Sequence, residues 1–202
     1  MHGIVSISGT SRPGNFTSRA LAVVNDELSR RGSAPEVFDA RELTLSFPGL
    51  APTADAERLE EAIRAATGVV IATPEYHGSF CSMTKLILEN LGFPSALAGK
   101  PVALVGVAAG RIGAIKSLEQ LRGVCSHVGA LVLPGSVSIA GVQKVFDADG
   151  SCVGEEAEAA LQGIAGSLLE FIENYICPRF ALESMVRDES CLLYTSDAAD
   201  EC

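Results

Sequence analysis

The chain is dominated by short stretches that are apolar without alternation. Each is too short for a buried helix, and each is followed by a segment with helical spacing. Ile4-Val5 with Ile7, Val69-Val70-Ile71-Ala72, Val102-Ala103-Leu104-Val105 and Leu131-Val132-Leu133 are the clearest. A strand that is apolar on both faces must be covered on both faces, and that is the situation of a parallel sheet. The segments between carry apolar residues three and four apart, as in Leu21, Val24 and Leu28 or Leu59, Ala62, Ile63 and Ala66. Strands are expected at 3–8, 36–39, 69–72, 102–107 and 131–133. Helices are expected at 17–31, 54–66, 79–91, 114–128 and 155–173. Strictly alternating strands and helices imply an α/β fold with right-handed crossovers. Five strands in about 175 residues favour a doubly wound five-stranded parallel sheet of order 2-1-3-4-5, with helices on both faces, over the six-strand dinucleotide-binding order.

Several function classes are set aside by what the chain lacks. No run reaches about 18 consecutive apolar residues, so no transmembrane helix is expected. The first residues lack a basic segment and already read as a strand, so no secretory signal is expected. The formal net charge of −10 disfavours nucleic acid and anionic membrane surfaces, which reward a basic face. Of six cysteines none forms a C-x-x-C pair, and His2, His77 and His127 are scattered. No metal site is expected, and the thiols read as reduced, as in a cytoplasmic protein. There is no internal repeat and no linker. Residues 1–177 are expected to form one domain, followed by a truncated C-terminal extension at 178–190. Residues 191–202 follow neither period and resemble a translated sequencing adapter, so they are expected to be non-native and are excluded from fold reasoning.

In sheets of this kind the ligand lies beyond the carboxyl ends of the strands, where the strand order reverses. The loops after strands one, three and four should then carry the unusual residues. The first is Gly9-Thr10-Ser11-Arg12-Pro13-Gly14-Asn15-Phe16-Thr17-Ser18. It leads into a helix N-terminus, where free N–H groups and the helix dipole favour an anion. Arg12 adds a planar cationic fork suited to phosphate. The loop has neither G-K-[ST] nor G-x-G-x-x-G, so it is neither a P-loop nor a dinucleotide fingerprint. The second is Thr73-Pro74-Glu75-Tyr76-His77-Gly78-Ser79. It offers an aromatic surface and backbone groups for the polar edge of a flat ring. His77 reads as a hydrogen-bonding or stacking residue, and Glu75 as structural or as a contact to a partner subunit. The third is Ala108-Ala109-Gly110-Arg111-Ile112-Gly113, where small residues allow close backbone approach. Arg111 could face a second phosphate or solvent.

Together G-T-S-R-P-G-N-F-T-S, T-P-E-Y-H-G-S with K-L-I-L-E-N, A-A-G-R-I-G and V-F-D-A-D-G resemble the NADPH-dependent FMN reductase family. That family includes flavin, chromate, azo-dye and quinone reductases, and the resemblance spans residues 3 to about 173. It implies a flavodoxin-like fold, non-covalent FMN and NADPH or NADH as donor. By the same resemblance Thr10, Arg12, Asn15, Phe16 and Thr17 cradle the FMN phosphate. Pro74, Glu75, Tyr76, His77 and Gly78 lie along the ribityl chain and ring, and Gly110, Arg111 and Gly113 border the isoalloxazine. A homodimer or homotetramer and a small-molecule electron acceptor are also implied. His77 stands where many relatives have Asn, and Cys81-Ser82 where many have a Gly-containing pair. Lys85-Leu86-Ile87-Leu88-Glu89 departs from the usual Lys-Asn-Ala/Leu-Asp run; these differences bear on the choice of acceptor.

Hydride transfer between nicotinamide and flavin is the cofactors' own chemistry, so no catalytic acid or base is assigned. Two rivals remain at this level. One is a flavodoxin-type electron carrier without its own NAD(P)H reaction. The other is a flavin-free hydrolase using Ser11 and His77, which needs the two side chains to pair.

Overall fold

The computed structural model describes residues 2–187. The expected extension at 178–190 lies partly outside this range, and the expected non-native tail at 191–202 wholly outside it. The order is β1 (Ile4–Ser8), α1 (Phe16–Arg30), β2 (Glu36–Asp39), α2 (Ala54–Ala65), β3 (Gly68–Tyr76), β4 (Ser79–Phe80), α3 (Ser82–Glu89), β5 (Pro101–Val107), α4 (Ile115–His127), β6 (Leu131–Val132), β7 (Val137–Ile139), α5 (Glu155–Phe171) and α6 (Cys177–Arg187). The sheet runs β2-β1-β3-β5-β6, with β7 also paired to β5 and β4 to β3. The expected order 2-1-3-4-5 is therefore present. All pairs are parallel except β3–β4.

The unalternating strands behave as the two-sided reading requires. Successive residues of β3 go to opposite faces. Val70 and Ala72 join a core with Leu21, Val24, Leu28, Leu161 and Leu168 from α1 and α5. Val69 and Ile71 join a second core with Leu59, Ile63, Ile87 and Leu121 from α2, α3 and α4. The sheet is thus the shared wall of two cores.

Three elements differ from the sequence expectation. β3 continues through Pro74 to Tyr76. Pro74 pairs with Val107 at the end of the ladder, where the missing N–H need not break the strand. Glu75 and Tyr76 then pair antiparallel with Phe80 and Ser79, so α3 begins at Ser82 rather than 79. The fifth sheet position is filled by two pieces, β6 and β7, each paired to a different stretch of β5. The break between them holds Pro134 and Gly135, the latter at φ 75°. The last helix does not end at 173. A π-helical turn at Ile172–Ile176 leads into α6, and Pro178 explains it. A proline in a helix lacks the N–H donor and crowds the carbonyl four residues back, and a local widening relieves both.

Candidate flavin site

Loop one is built around Asn15. It caps α1: its side-chain oxygen accepts from Ser18 N–H at 2.7 Å, while its Nδ2 donates to the Arg12 carbonyl at 2.8 Å. The N–H groups of Phe16 and Thr17, at the helix start, have no intrahelical acceptor. The first turn contains no acidic residue, so the positive end of the helix dipole is uncompensated. Gly14, at φ 60°, makes the turn that brings Arg12 and Asn15 together.

Beneath the loop lies a buried polar cluster. Gly9 N–H donates to Ala72 O at 2.8 Å. The Thr84 hydroxyl donates to Gly9 O at 2.8 Å and lies 2.9 Å from Thr73 Oγ1, which accepts from Cys81 N–H at 3.2 Å. These bonds tie the end of β1, the end of β3 and the start of α3 into one support. Beside it Asp39, at the end of β2, is held by Arg41 at 2.6 and 3.0 Å and reached by Ser18 Oγ at 3.4 Å. Burial pushes the Asp39 carboxyl up, but the hydrogen bonds from Arg41 and Ser18 outweigh it, leaving its pKa below the ordinary 3.8.

The hairpin after β3 turns through His77 and Gly78, both in the left-handed region at φ 52° and 76°. A two-residue turn with positive φ at both positions matches the twist of a tight hairpin. α4 holds it in place. Gln120 Nε2 donates to Gly78 O at 3.0 Å, and Ser79 Oγ lies 2.7 Å from Gln120 Oε1. Glu75 Oε2 accepts from Ser117 N–H at 3.1 Å. Ala114 offers no side-chain cap to α4, so Glu75 caps that helix from another element. This is a structural role of the kind the sequence allows for Glu75.

A cavity of about 530 Å3 opens between these parts, a size typical of small-molecule sites. Arg12, Asn15, Phe16 and Thr17 form one side of it, and Pro74, Glu75 and Tyr76 another. Seven of the predicted site residues therefore converge. The other six lie outside the lining. Thr10 is buried behind loop one, its Oγ1 3.4 Å from Arg12 N–H. His77 and Gly78 form the hairpin turn. Gly110 and Gly113 lie on the loop after β5, where Gly110 O accepts from Gly113 and Gly141 N–H. Gly113 sits at φ 79°, where a Cβ would meet Ser138 Oγ at 2.4 Å. Arg111 is exposed on that loop. The base of the cavity is instead Val107, Ala108 and Ala109, with Val142 and Gln143 from a 3-10 turn after β7. Val142 N–H donates to Ala108 O at 3.1 Å and Gln143 Nε2 to Ala109 O at 3.3 Å. The signal for this wall was Val137-Ser138-Ile139, a short strand pattern behind a Pro-Gly break.

No hydrogen bond joins Ser11 and His77 among the described residues, which removes the pairing that a hydrolase would need. No group of His, Cys, Asp and Glu among the described residues could hold a metal. No helix there is long and apolar enough to cross a membrane.

A sheet in this order, with Arg12 and a helix N-terminus after β1 and small residues at the end of β5, defines a flavodoxin-like fold. Solved structures agree with that fold. The flavoenzyme NAD(P)H:(acceptor) oxidoreductase FerB from Paracoccus denitrificans superposes with a TM-score of 0.71 at 24% identity, covering 87% of this chain and 99% of that one. Residues 3–144 match the NADPH-dependent FMN reductase family, and the chain belongs to it. It is 31% identical to an NAD(P)H-dependent FMN reductase of Pseudomonas aeruginosa, over 79% of this chain and 89% of that protein. It is 30% identical to an NADPH azoreductase of a Bacillus species, over 85% of this chain and 93% of that protein. The enzyme class read from the sequence, an FMN-using NAD(P)H oxidoreductase, is the class of this family.

Proposed function

We propose that the 530 Å3 cavity is the FMN site of an NAD(P)H-dependent oxidoreductase that passes electrons to a small-molecule acceptor such as a flavin, quinone, chromate or azo compound. One observation carries the reading. The uncapped N–H groups at the start of α1 and the unpaired guanidinium of Arg12 face the same cavity as the close-packed Val107–Ala109 wall. The first pair suits a phosphate and the second a flat ring. Glu75 is the one carboxylate in the lining among the described residues, and Ser117 N–H engages it.

In this reading Arg12 and the Phe16 and Thr17 N–H groups hold the phosphate. Asn15 keeps the loop closed around it. Pro74 and Tyr76 flank the ring, and Glu75 fixes the hairpin that presents Tyr76. Val107, Ala108 and Val142 exclude water from one side of the cavity. The hydride chemistry belongs to the flavin when bound; the chain's part is binding, orientation and exclusion of solvent. The protein is read as cytoplasmic and as a homodimer or homotetramer. The exposed Phe180, Leu182, Met185 and Val186 on α6 support self-association.

The test is anaerobic. The protein is loaded with FMN, desalted and mixed with NADPH. Retained flavin absorbance that bleaches supports the reductase reading. Retained flavin that bleaches with neither NADPH nor NADH supports an electron carrier. No retained flavin overturns the assignment of the cavity.

A further inference from the structure

A second cavity, of about 580 Å3, opens at the opposite end of the sheet from the flavin cavity. His2, Thr67 and Lys100 in its lining stand just ahead of β1, β3 and β5, so it lies before the amino ends of the strands. Ligands of such sheets lie beyond the carboxyl ends, and this cavity falls outside that rule. α6 supplies the other wall through Cys177 and Arg179. Lys100 braces the floor, its Nζ donating to the carbonyls of Arg64 and Ala66 at 2.7 and 2.5 Å. Arg64, Lys100 and Arg179 line the cavity against the one carboxylate of Glu183. Each arginine is paired on one side, Arg64 with Glu60 and Arg179 with Glu183. A guanidinium has five N–H donors, so each fork keeps donors for a second acceptor.

Three side chains meet at the edge of this cavity. Cys177 Sγ lies 3.9 Å from His2 Nδ1, and His2 Nε2 lies 3.5 Å from Glu173 Oε1. The carboxylate holds a proton on Nε2 and leaves Nδ1 to accept from the thiol. A nucleophile, a base and a group that orients the base are the parts of an activated thiol. The two ring nitrogens face different partners, so the trio does not converge on one point as metal ligands must. Acyl transfer is not supported either. The Cys177 N–H donates to Ile172 O and Pro178 has no N–H, so the backbone beside the thiol offers no oxyanion donor. Thiol–disulfide exchange needs no such donor, only a thiolate with access to the disulfide, and Cys177 is partly exposed. We propose that Cys177 is a thiolation site for a small peptide disulfide. The thiol proton passes to His2, and the Cys177 sulfur attacks one sulfur of the incoming disulfide. A mixed disulfide forms, and the other half leaves as a thiolate that takes the proton from the imidazolium. Cys177 is oxidised and the incoming disulfide reduced by the same two electrons. Arg179, Arg64 and Lys100 receive the carboxylates of the peptide. The inference is independent of the flavin reading.

The experiment exposes the full chain, reduced and desalted, to oxidised glutathione or to the neutral hydroxyethyl disulfide, and scores each cysteine separately by peptide mapping. Cys152 is the internal control: it too is partly exposed, and its Sγ lies 3.8 Å from Gly154 O. At pH 7 oxidised glutathione is expected to thiolate Cys177 at least about tenfold faster than Cys152. His2→Gln should slow Cys177 with both disulfides at pH 7. With the neutral disulfide it should approach the parent rate above about pH 9, where an ordinary thiol, of pKa about 8.5, ionises unaided. The other charged groups facing the pair among the described residues, Glu173, Arg64, Lys100, Arg179 and Glu183, are common to parent and variant and cancel in that comparison. Arg179→Gln should slow oxidised glutathione and leave the neutral disulfide unchanged. Equal rates at Cys152 and Cys177 in the parent overturn the proposal. So does a His2→Gln rate equal to the parent's at pH 7, or an Arg179→Gln loss shared by both disulfides. The comparison of the two thiols is made within one parent chain and holds whether or not a variant folds.

Discussion

Gly9 occupies a point where no side chain fits. A Cβ there would lie 2.2 Å from Thr84 Oγ1 and 3.0 Å from the Ala72 carbonyl. Thr84 is the hydroxyl that bonds the Gly9 carbonyl, so the methyl would displace its own support. Gly9→Ala is expected to cost about 1–3 kcal/mol, as overpacking of a tight site does. It should also weaken FMN retention, because loop one rests on this point. Denaturant titration and flavin retention of the variant check both; a parent-like midpoint would show that the cluster yields without loss. The same scale separates the thirteen predicted site residues. Asn15 was named as a short polar residue of the loop before a helix, a local pattern, although the helix begins at Phe16 rather than 17 and Asn15 is its cap. Glu75 was named with a structural role among its readings, but its partner was not, because Ser117 is 42 residues away.

The hairpin β3–β4 is where element and site meet. Its turn needs two left-handed residues, and His77 carries φ 52° there. Asn adopts that region more readily than most residues, so His77→Asn is expected to leave stability unchanged or slightly raised, with flavin retained. Gly78→Ala is expected to lose about 1–2 kcal/mol, the penalty of a left-handed non-glycine residue. Thermal melts of the two variants should move in these different directions; a loss in His77→Asn would assign the imidazole a contact of its own. Most elements were readable because their apolar pattern is long: β3, β5, α1 and α5 each fill at least a full period. β4 has two residues and β7 three, too few to show any period. The cavity wall at Val142–Gln143 depends on β7, so it was missed with it. Gly113 has a positive φ, and a Cβ there would meet Ser138 Oγ at 2.4 Å, a requirement that depends on a residue of β7 and so was not visible in the loop's own sequence.

At the scale of the whole molecule, the four cysteines of the described residues differ in burial. Cys81 and Cys125 are buried, and Cys152 and Cys177 are partly exposed. Burial pushes the Cys125 thiol up to about 12, with Arg122 only partly opposing it. Among these four, alkylation followed site by site in the mass spectrometer should therefore reach Cys152 and Cys177 first. Cys125 should react only as fast as the whole fold opens; early labelling there would mean that α4 detaches locally. Arg122 also acts at the far edge of the sheet. It donates to the carbonyls of Val132 and Leu133 at 3.3 and 2.8 Å and to Ser136 Oγ at 2.8 Å, at the gap between β6 and β7. An incoming strand from a neighbouring molecule needs a continuous row of free carbonyl and amide groups. Here the row is interrupted by Pro134 and two of its carbonyls are occupied by a guanidinium, so this edge of the sheet offers an incoming strand no continuous template.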